Sequence, residues 1–359
     1  MRHDPSPYPE RVRRLRAGLS ETGVLLILNA LNIRDLTGFT GGDGALMAGP
    51  TWLVLLVDGR YVTQARGEAA GTEIFEFRNR VDGIAAVAHR QGIGQIDFES
   101  PALSVEEYLK LQEGLPGVEL RPLASVFHCL RAVKEEAEIA QIREAAKIAG
   151  EALAAVREMI RPGVREAEIA LELEYRMRLG GAEKVSFETI VAAGSNTALP
   201  HATAGRRAIA DGDCVMIDCG AVCGGYHSDE TCTYIVGQAS ERQQEVYRLV
   251  REAHDRALGA IRSGVSCGEI DRIARACFED AGLGGYFSHG TGHGVGLDVH
   301  EAPRLAAGRE EILRVGMVVT VEPGIYLPGV WGIRIEDTVL VTEEGCEILT
   351  QTPKELTII

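Results

Sequence analysis

The segment "CVMIDCGAVCGGYHSDETCTYIVG", residues 214–237, carries an apolar strand into a carboxylate, turns through glycines, and returns as a second strand that opens on another carboxylate. Asp218 directly follows "VMI", where an unpaired charge would be costly to bury. A second segment, "MVVTVEPGIYLPGVWGIRIEDTVLVTEEG" at 317–345, repeats the plan. Its acids are Glu322 and Glu336, and the second arms match closely, Asp229-Glu230-Thr231 against Glu336-Asp337-Thr338. Two such hairpins related by a pseudo-twofold axis would bring four carboxylates to one centre. Taken singly, each acid fits a turn cap or a solvated face at least as well. The symmetric set weakens that reading.

Four converging carboxylates repel one another unless some protonate or cations intervene. Two divalent ions balance the charge, and one neutral imidazole would complete a mixed oxygen and nitrogen set suited to Mn²⁺, Co²⁺ or Zn²⁺. The stretch "SHGTGHGVGLDVHEAP" at 288–303 supplies imidazoles. His289 and His293 are four apart, but the glutamate of H-E-x-x-H is missing and the intervening glycines oppose a helix. "GTGHGVG" fits neither G-x-G-x-x-G nor a P-loop. Glycines flanking His293 let the backbone pass close to a neighbour while the ring projects. As a lone residue it would more often be a satisfied core histidine.

Composition narrows the function classes. The chain has 359 residues, 45% hydrophobic and 25% charged, which is ordinary for two soluble globular domains. A formal charge of −15 opposes nucleic acid and anionic membranes; the short basic patch Arg11–Arg16 does not offset it. No membrane-spanning run and no signal-like apolar segment stand out, so a cytoplasmic location is expected. Eight cysteines then read as reduced thiols, and Cys219 with Cys223 lacks the partners of a zinc site.

The first part alternates a charged helix near 8–22 with the strand-like "VLLILN", "TWLVLLVDGRYVTQA" and "IGQIDF", an α/β pattern. It ends near "LRPLASVFHCL", which sets the domains at 1–130 and 131–359. From Lys134 to Ile160 the apolar positions Ile139, Ile142, Ala146, Ala149, Leu153, Val156 and Ile160 recur at helical spacing, closed by Pro162-Gly163. Further helices are expected at 165–179, 241–262 and 267–281, between strand pairs. The second domain is therefore α+β with an internal repeat.

Asp218, Asp229, His293, Glu322 and Glu336, in this order, resemble the proline-specific metallopeptidases of the pita-bread fold, prolidase and aminopeptidase P. The resemblance rests on "MIDCG", "SDETCT", "HGTGHGVGLDVHEAP", "TVEPGIY" and "GIRIEDTVLVT", with "ETIVAAGSNTALPHA" and "LRAVKEEAEIAQIREAA" before them. "LTGFTGG" and "VDGRYVTQA" extend it into a creatinase-like amino-terminal domain. Methionine aminopeptidase would not explain residues 1–130, and creatinase lacks this ligand set. The resemblance implies two divalent ions, usually Mn²⁺ or Co²⁺. Asp218 would chelate one, Asp229 and Glu336 would bridge both, and His293 and Glu322 would bind the other. It implies a metal-activated water that attacks the carbonyl before proline. His201 and His300 match histidines at the scissile carbonyl, His289 a residue of the proline pocket, and Arg334 an arginine ordering the site.

Two departures stand out: Cys232 replaces a common arginine, and Arg34-Asp35 precedes "LTGF", where an aromatic is usual and the entrance would change. Strand alternation turns Cys232 away from Asp229 and Thr231. The implied protein is a cytoplasmic Xaa-Pro dipeptidase or aminopeptidase acting on short peptides with proline second, a homodimer, with the amino-terminal domain restricting access. A dipeptidase benefits from an arginine that pairs with the proline carboxylate, for which Arg304 and Arg309 are candidates, although each reads more simply as a surface charge. The alternative is a catalytically inactive pita-bread module that binds peptides or proteins.

Overall fold

The computed structural model describes residues 8–17, 23–123 and 130–359. They form two compact units that divide between Arg131 and Ala132.

The amino-terminal unit is one mixed sheet. Its strands are β1 (Leu25–Ile27), β2 (Ala45–Ala48), β3 (Leu53–Asp58), β4 (Glu73–Phe77), β5 (Gln95–Glu99) and β6 (Glu119–Leu123), in the spatial order β4-β3-β2-β1-β5-β6. Helices supply two apolar layers. Leu25 and Ile27 join one cluster with Val12 and Leu15, whereas Leu26 joins another with Ile84 and Val87. A sheet covered on both faces explains why "VLLIL" and "LVLLV" are apolar throughout. The expected helix near 8–22 is seen as Tyr8–Ala17; its remainder, like Cys129 and the boundary loop, lies outside the described residues. Asp35 is turned inward, where it pairs with Arg11 at 2.9 Å.

The second unit consists of two similar halves. In the first, helices Glu136–Val156 and Glu166–Leu179 pack on a sheet containing β8 (Ile190–Ala193), β9 (Cys214–Cys219) and β12 (Glu230–Ile235). The short strands β7 (Lys184–Val185), β10 (Ala221–Cys223) and β11 (Tyr226–His227) form a separate ribbon. In the second half, helices Glu241–Ala260 and Cys267–Asp280 cover a sheet with β13 (Gly292–Gly294), β14 (Glu301–Leu305), β15 (Val318–Val321), β18 (Asp337–Val341) and β19 (Cys346–Ile348). Here β16 (Gly324–Leu327) pairs only with β17 (Trp331–Arg334), and β20 (Thr357–Ile358) returns to run beside β12.

All seven apolar positions read as one helical face between 139 and 160 are buried, although the α-helix ends at Val156 and a 3₁₀ turn carries the chain on. Each hairpin proves to be two stacked ribbons: the outer strands β9 and β12 pair in one sheet, while β10 and β11 pair in another. The same holds for β15 with β18 and β16 with β17. The acids sit where one ribbon gives way to the next.

The two registers also correct the expected symmetry. Thr231 lies opposite Asp218, and Thr338 opposite Thr320. With Asp229 and Glu336 superposed, Asp218 is therefore equivalent to Thr320, and Glu322 to Gly220. Only the second-arm acids are true equivalents. Gly220 has no room for more, since a Cβ there would stand 1.9 Å from the Ser228 carbonyl oxygen.

Phe278, fully buried and edge-on to Phe287 at 5.2 Å, anchors the helix beneath the histidine-rich loop. Phe278→Ala is expected to cost about 3–5 kcal/mol, read as a lowered midpoint in guanidinium unfolding.

Candidate metal centre

A cavity of about 510 Å³ opens where the ribbons of the two halves meet. Asp218, Asp229, His293, Glu322 and Glu336 all line it, and so do His201, His289, His300 and Arg334. Nine positions singled out from sequence thus face one space. Ligand atoms of Asp229, His293 and Glu336 lie within 4.8 Å of one another. His293 Nε2 is 3.4 Å from Glu322 Oε1 and 3.6 Å from Asp229 Oδ2.

Backbone position explains each projection. Asp218 is the fifth residue of β9, Glu322 leaves β15, and Asp229 and Glu336 immediately precede β12 and β18. His293 is central in β13, whose glycines allow close approach: a Cβ on Gly292 would lie 2.0 Å from the Thr320 carbonyl oxygen. His293 Nδ1 lies 3.1 Å from the Gly294 carbonyl oxygen, which can only accept, so this nitrogen carries the proton. Nε2 is left with its lone pair toward the carboxylates. Burial and the nearby His300 ring hold His293 down to about 3, so the imidazole is neutral.

The acids are under matching stress. Burial, then Glu336 and Asp218, pushes Asp229 well above the ordinary carboxylate range; burial with Glu322 and Asp218 does the same to Glu336. Burial lifts Glu322 to about 7, although Arg334 opposes the shift. Arg334 bonds Asp218 Oδ2, donates Nε to Thr231 Oγ1 at 3.1 Å, and gives Nη1 to Tyr326 Oη at 2.8 Å. Asp218 Oδ1 is buried with no hydrogen-bond partner. An orphaned carboxylate oxygen and an imidazole lone pair among buried acids are what a divalent cation would satisfy.

Comparison with known proteins agrees with this chemistry. Residues 140–343 match the model of metallopeptidase family M24, and 11–133 that of the creatinase/prolidase N-terminal domain. The chain belongs to metallopeptidase family M24. An Xaa-Pro dipeptidase of Pyrococcus furiosus is 47% identical over 238 residues, 66% of this chain and 68% of that one. Among solved structures, an Xaa-Pro dipeptidase from Bacillus anthracis is similar with a TM-score of 0.95 at 40% identity, covering 98% of this chain and 100% of its own. An X-Pro aminopeptidase from Thermotoga maritima gives 0.88 at 34% identity, covering 97% and 100%. The fold is thus the pita-bread architecture, preceded in sequence by a creatinase-type amino-terminal domain, and the M24 chain is a hydrolase that uses divalent metal.

The M24 site also holds residues that sequence reasoning passed over. Tyr326, quoted above only as part of "EPGIY", connects His289 Nε2 at 2.8 Å to Arg334, and Thr231 Oγ1 donates to Glu336 Oε2 at 2.6 Å. Nothing in their residue type separates them from strand-forming tyrosines and threonines. Arg304 lines the cavity, whereas Arg309 lies in a separate recess beside Gly268. Cys232 is buried on the far side of β12. The described cysteines are all free thiols, and among the described residues no zinc cluster forms at Cys219 and Cys223. Tyr326→Phe would leave Arg334 and His289 each short of a buried partner. A loss of roughly 1–3 kcal/mol is expected in urea unfolding, with an unchanged far-UV circular dichroism spectrum.

Proposed function

We propose that this chain is an Xaa-Pro dipeptidase with two divalent ions, Mn²⁺ by preference and Co²⁺ or Zn²⁺ as substitutes. The observation that carries the reading is one cavity that combines the His293 lone pair, four acids and the Arg304 guanidinium. Asp218 would hold one ion, Asp229 and Glu336 both, and His293 and Glu322 the other. Ions bound there supply the positive charge that polarises a carbonyl and brings the pKa of water from roughly 15.7 toward neutrality.

The remaining residues have work that needs no ion. His201 and His300 face the cavity from two different loops and can donate to the carbonyl oxygen of the bond to be cut. His289 lines the cavity, backed by Phe287 edge-on at 5.0 Å and Tyr326 tilted at 5.5 Å, and offers a face for the proline ring. Burial holds His289 down to about 4, so the ring meets proline uncharged. Arg334 fixes Asp218 and Tyr326 together. Arg304 supplies a guanidinium for the free carboxylate that proline carries in a dipeptide and lacks in a longer chain.

The same reading makes the protein a cytoplasmic homodimer. Free thiols at every described cysteine support the compartment, and no helix among the described residues is long and apolar enough to cross a membrane. An inactive binding module has no use for buried acids placed this way.

The test is to strip the protein with a chelator, refill it with Mn²⁺, Co²⁺ or Zn²⁺, and assay Xaa-Pro against Xaa-Pro-Yaa. Release of proline from the dipeptide by the Mn²⁺ form, at least tenfold faster than cleavage of the longer peptide, is expected. Cleavage of the longer peptide alone would make it an aminopeptidase, and turnover of neither would leave the inactive module. Asp229→Asn and Glu336→Gln should each lower kcat by at least a hundredfold while far-UV circular dichroism is kept. Arg304→Ala should raise KM for the dipeptide about tenfold or more and leave KM for its proline amide within about twofold.

A further inference from the structure

The side of the metal-ligand strands that faces away from the cavity carries its own charge cluster. Strand alternation turns Glu230, Cys232 and Asp337 to that side. Lys354, from the segment between β19 and β20, enters among them. Its Nζ donates to Glu230 Oε2 at 2.9 Å and Cys232 Sγ at 3.3 Å, and stands 3.6 Å from Asp337 Oδ1. The side chains of Lys354, Glu230 and Asp337 are 4%, 1% and 5% exposed, so water does not screen the charges. Thr350 Oγ1 donates to Asp337 Oδ1, and His254 Nε2 lies 3.2 Å from Asp337 Oδ2. Glu230 Oε1 has no hydrogen-bond partner, which leaves that carboxylate dependent on the lysine. Tyr247 Oη holds the Lys354 carbonyl at 3.0 Å and fixes the backbone from which the side chain extends.

Glu230 follows Asp229, and Asp337 follows Glu336. β12 and β18 belong to different sheets, so no continuous ladder sets their separation. Hydrogen bonds join them at a few points: Thr338 Oγ1 to the Asp229 carbonyl at 2.7 Å, and the Glu336 amide to the Thr231 carbonyl at 3.1 Å. Lys354 attracts the residue after each proposed bridging ligand toward one ammonium. Without it, two buried carboxylates would repel across the seam and part the strands that carry Asp229 and Glu336.

We propose that Lys354 is a positioning residue that sets the spacing of Asp229 and Glu336 from behind and thereby the affinity of the centre for divalent metal. The inference rests on the metal assignment made above. Cys232 sets only a small thiol against the ammonium, and Lys354 is the side chain that reaches both Glu230 and Asp337.

The experiment is Mn²⁺ titration of chelator-stripped protein, followed by electron paramagnetic resonance and calorimetry, on the wild type, K354M and E230Q/K354M. Saturable wild-type binding is the arm that tests the metal assignment; absence of binding overturns that assignment and this proposal together. Given wild-type binding, K354M should bind Mn²⁺ at least tenfold more weakly. E230Q/K354M removes both partners of the ion pair and should regain melting temperature while its Mn²⁺ affinity stays at least tenfold low. Affinity within about twofold of wild type in E230Q/K354M would show that the lysine only supports the fold, and would overturn the proposal. Where K354M does not fold, the double variant decides.

Discussion

The structure depends on the burial of like charges at a seam. Asp229, Glu336 and Glu322 are pushed toward protonation by burial and by their neighbours, while the His293 lone pair faces them. An ordinary core avoids such a cluster, because each unpaired charge costs more than a hydrogen bond returns. Here the cost is met locally by Arg334 at Asp218 and Thr231 at Glu336. One oxygen, Asp218 Oδ1, is left over. That unmet demand is what a cation would satisfy, and membership of a metallopeptidase family agrees with it.

The seam also explains the architecture around it. Each half is a helix pair on a sheet with a main apolar cluster, and Cys214 and Ile235 of the first half extend into the cluster of the second. At the ligand strands the cross-links between halves are polar: Thr233 Oγ1 to the Arg334 carbonyl at 2.8 Å, Thr338 to Asp229, and Lys354 to Glu230 and Asp337, while Ile139 and Ile142 pack on Val295, Val318 and Leu340 elsewhere along the seam. Apolar packing holds the halves together without fixing the distance between the acids, since it is not directional. Hydrogen bonds and ion pairs do fix direction. Cationic groups therefore stand on both sides of β12 and β18, Arg334 toward the cavity and Lys354 behind it.

Much of this was legible in the chain because periodicity and chemistry coincide. Helical spacing marked Ile139 to Ile160, an acid directly after an apolar strand marked Asp218, and the repeat of that hairpin marked Glu336. The family resemblance added His201, His289, His300 and Arg334, which no spacing rule singles out. Tyr326 and Lys354 stayed hidden for different reasons. Tyr326 lies in a strand whose burial explains a tyrosine without any role. Lys354 sits in "TPKEL", which looks like an exposed end, and its burial is set by β20 pairing in parallel with β12, a contact far apart in sequence. The register offset was equally invisible, since it depends on which residues pair and not on which are present.

That offset bears on function. Perfect symmetry would place an acid opposite each second-arm acid in the same way, and two equivalent half-sites would result. The registers instead put Thr320 where the first half has Asp218, and Gly220 where the second half has Glu322. The Thr320 hydroxyl accepts the His293 amide at 3.1 Å and so helps seat the proposed nitrogen ligand in the second half. Gly220 cannot carry a side chain, which leaves the first half with Asp218 and the Arg334 it engages. One half then offers imidazole and carboxylate, the other carboxylate under a guanidinium. A peptide bond is also unsymmetrical, with a carbonyl carbon at one end and an amide nitrogen at the other, and a site with two unlike sides can tell the two directions apart.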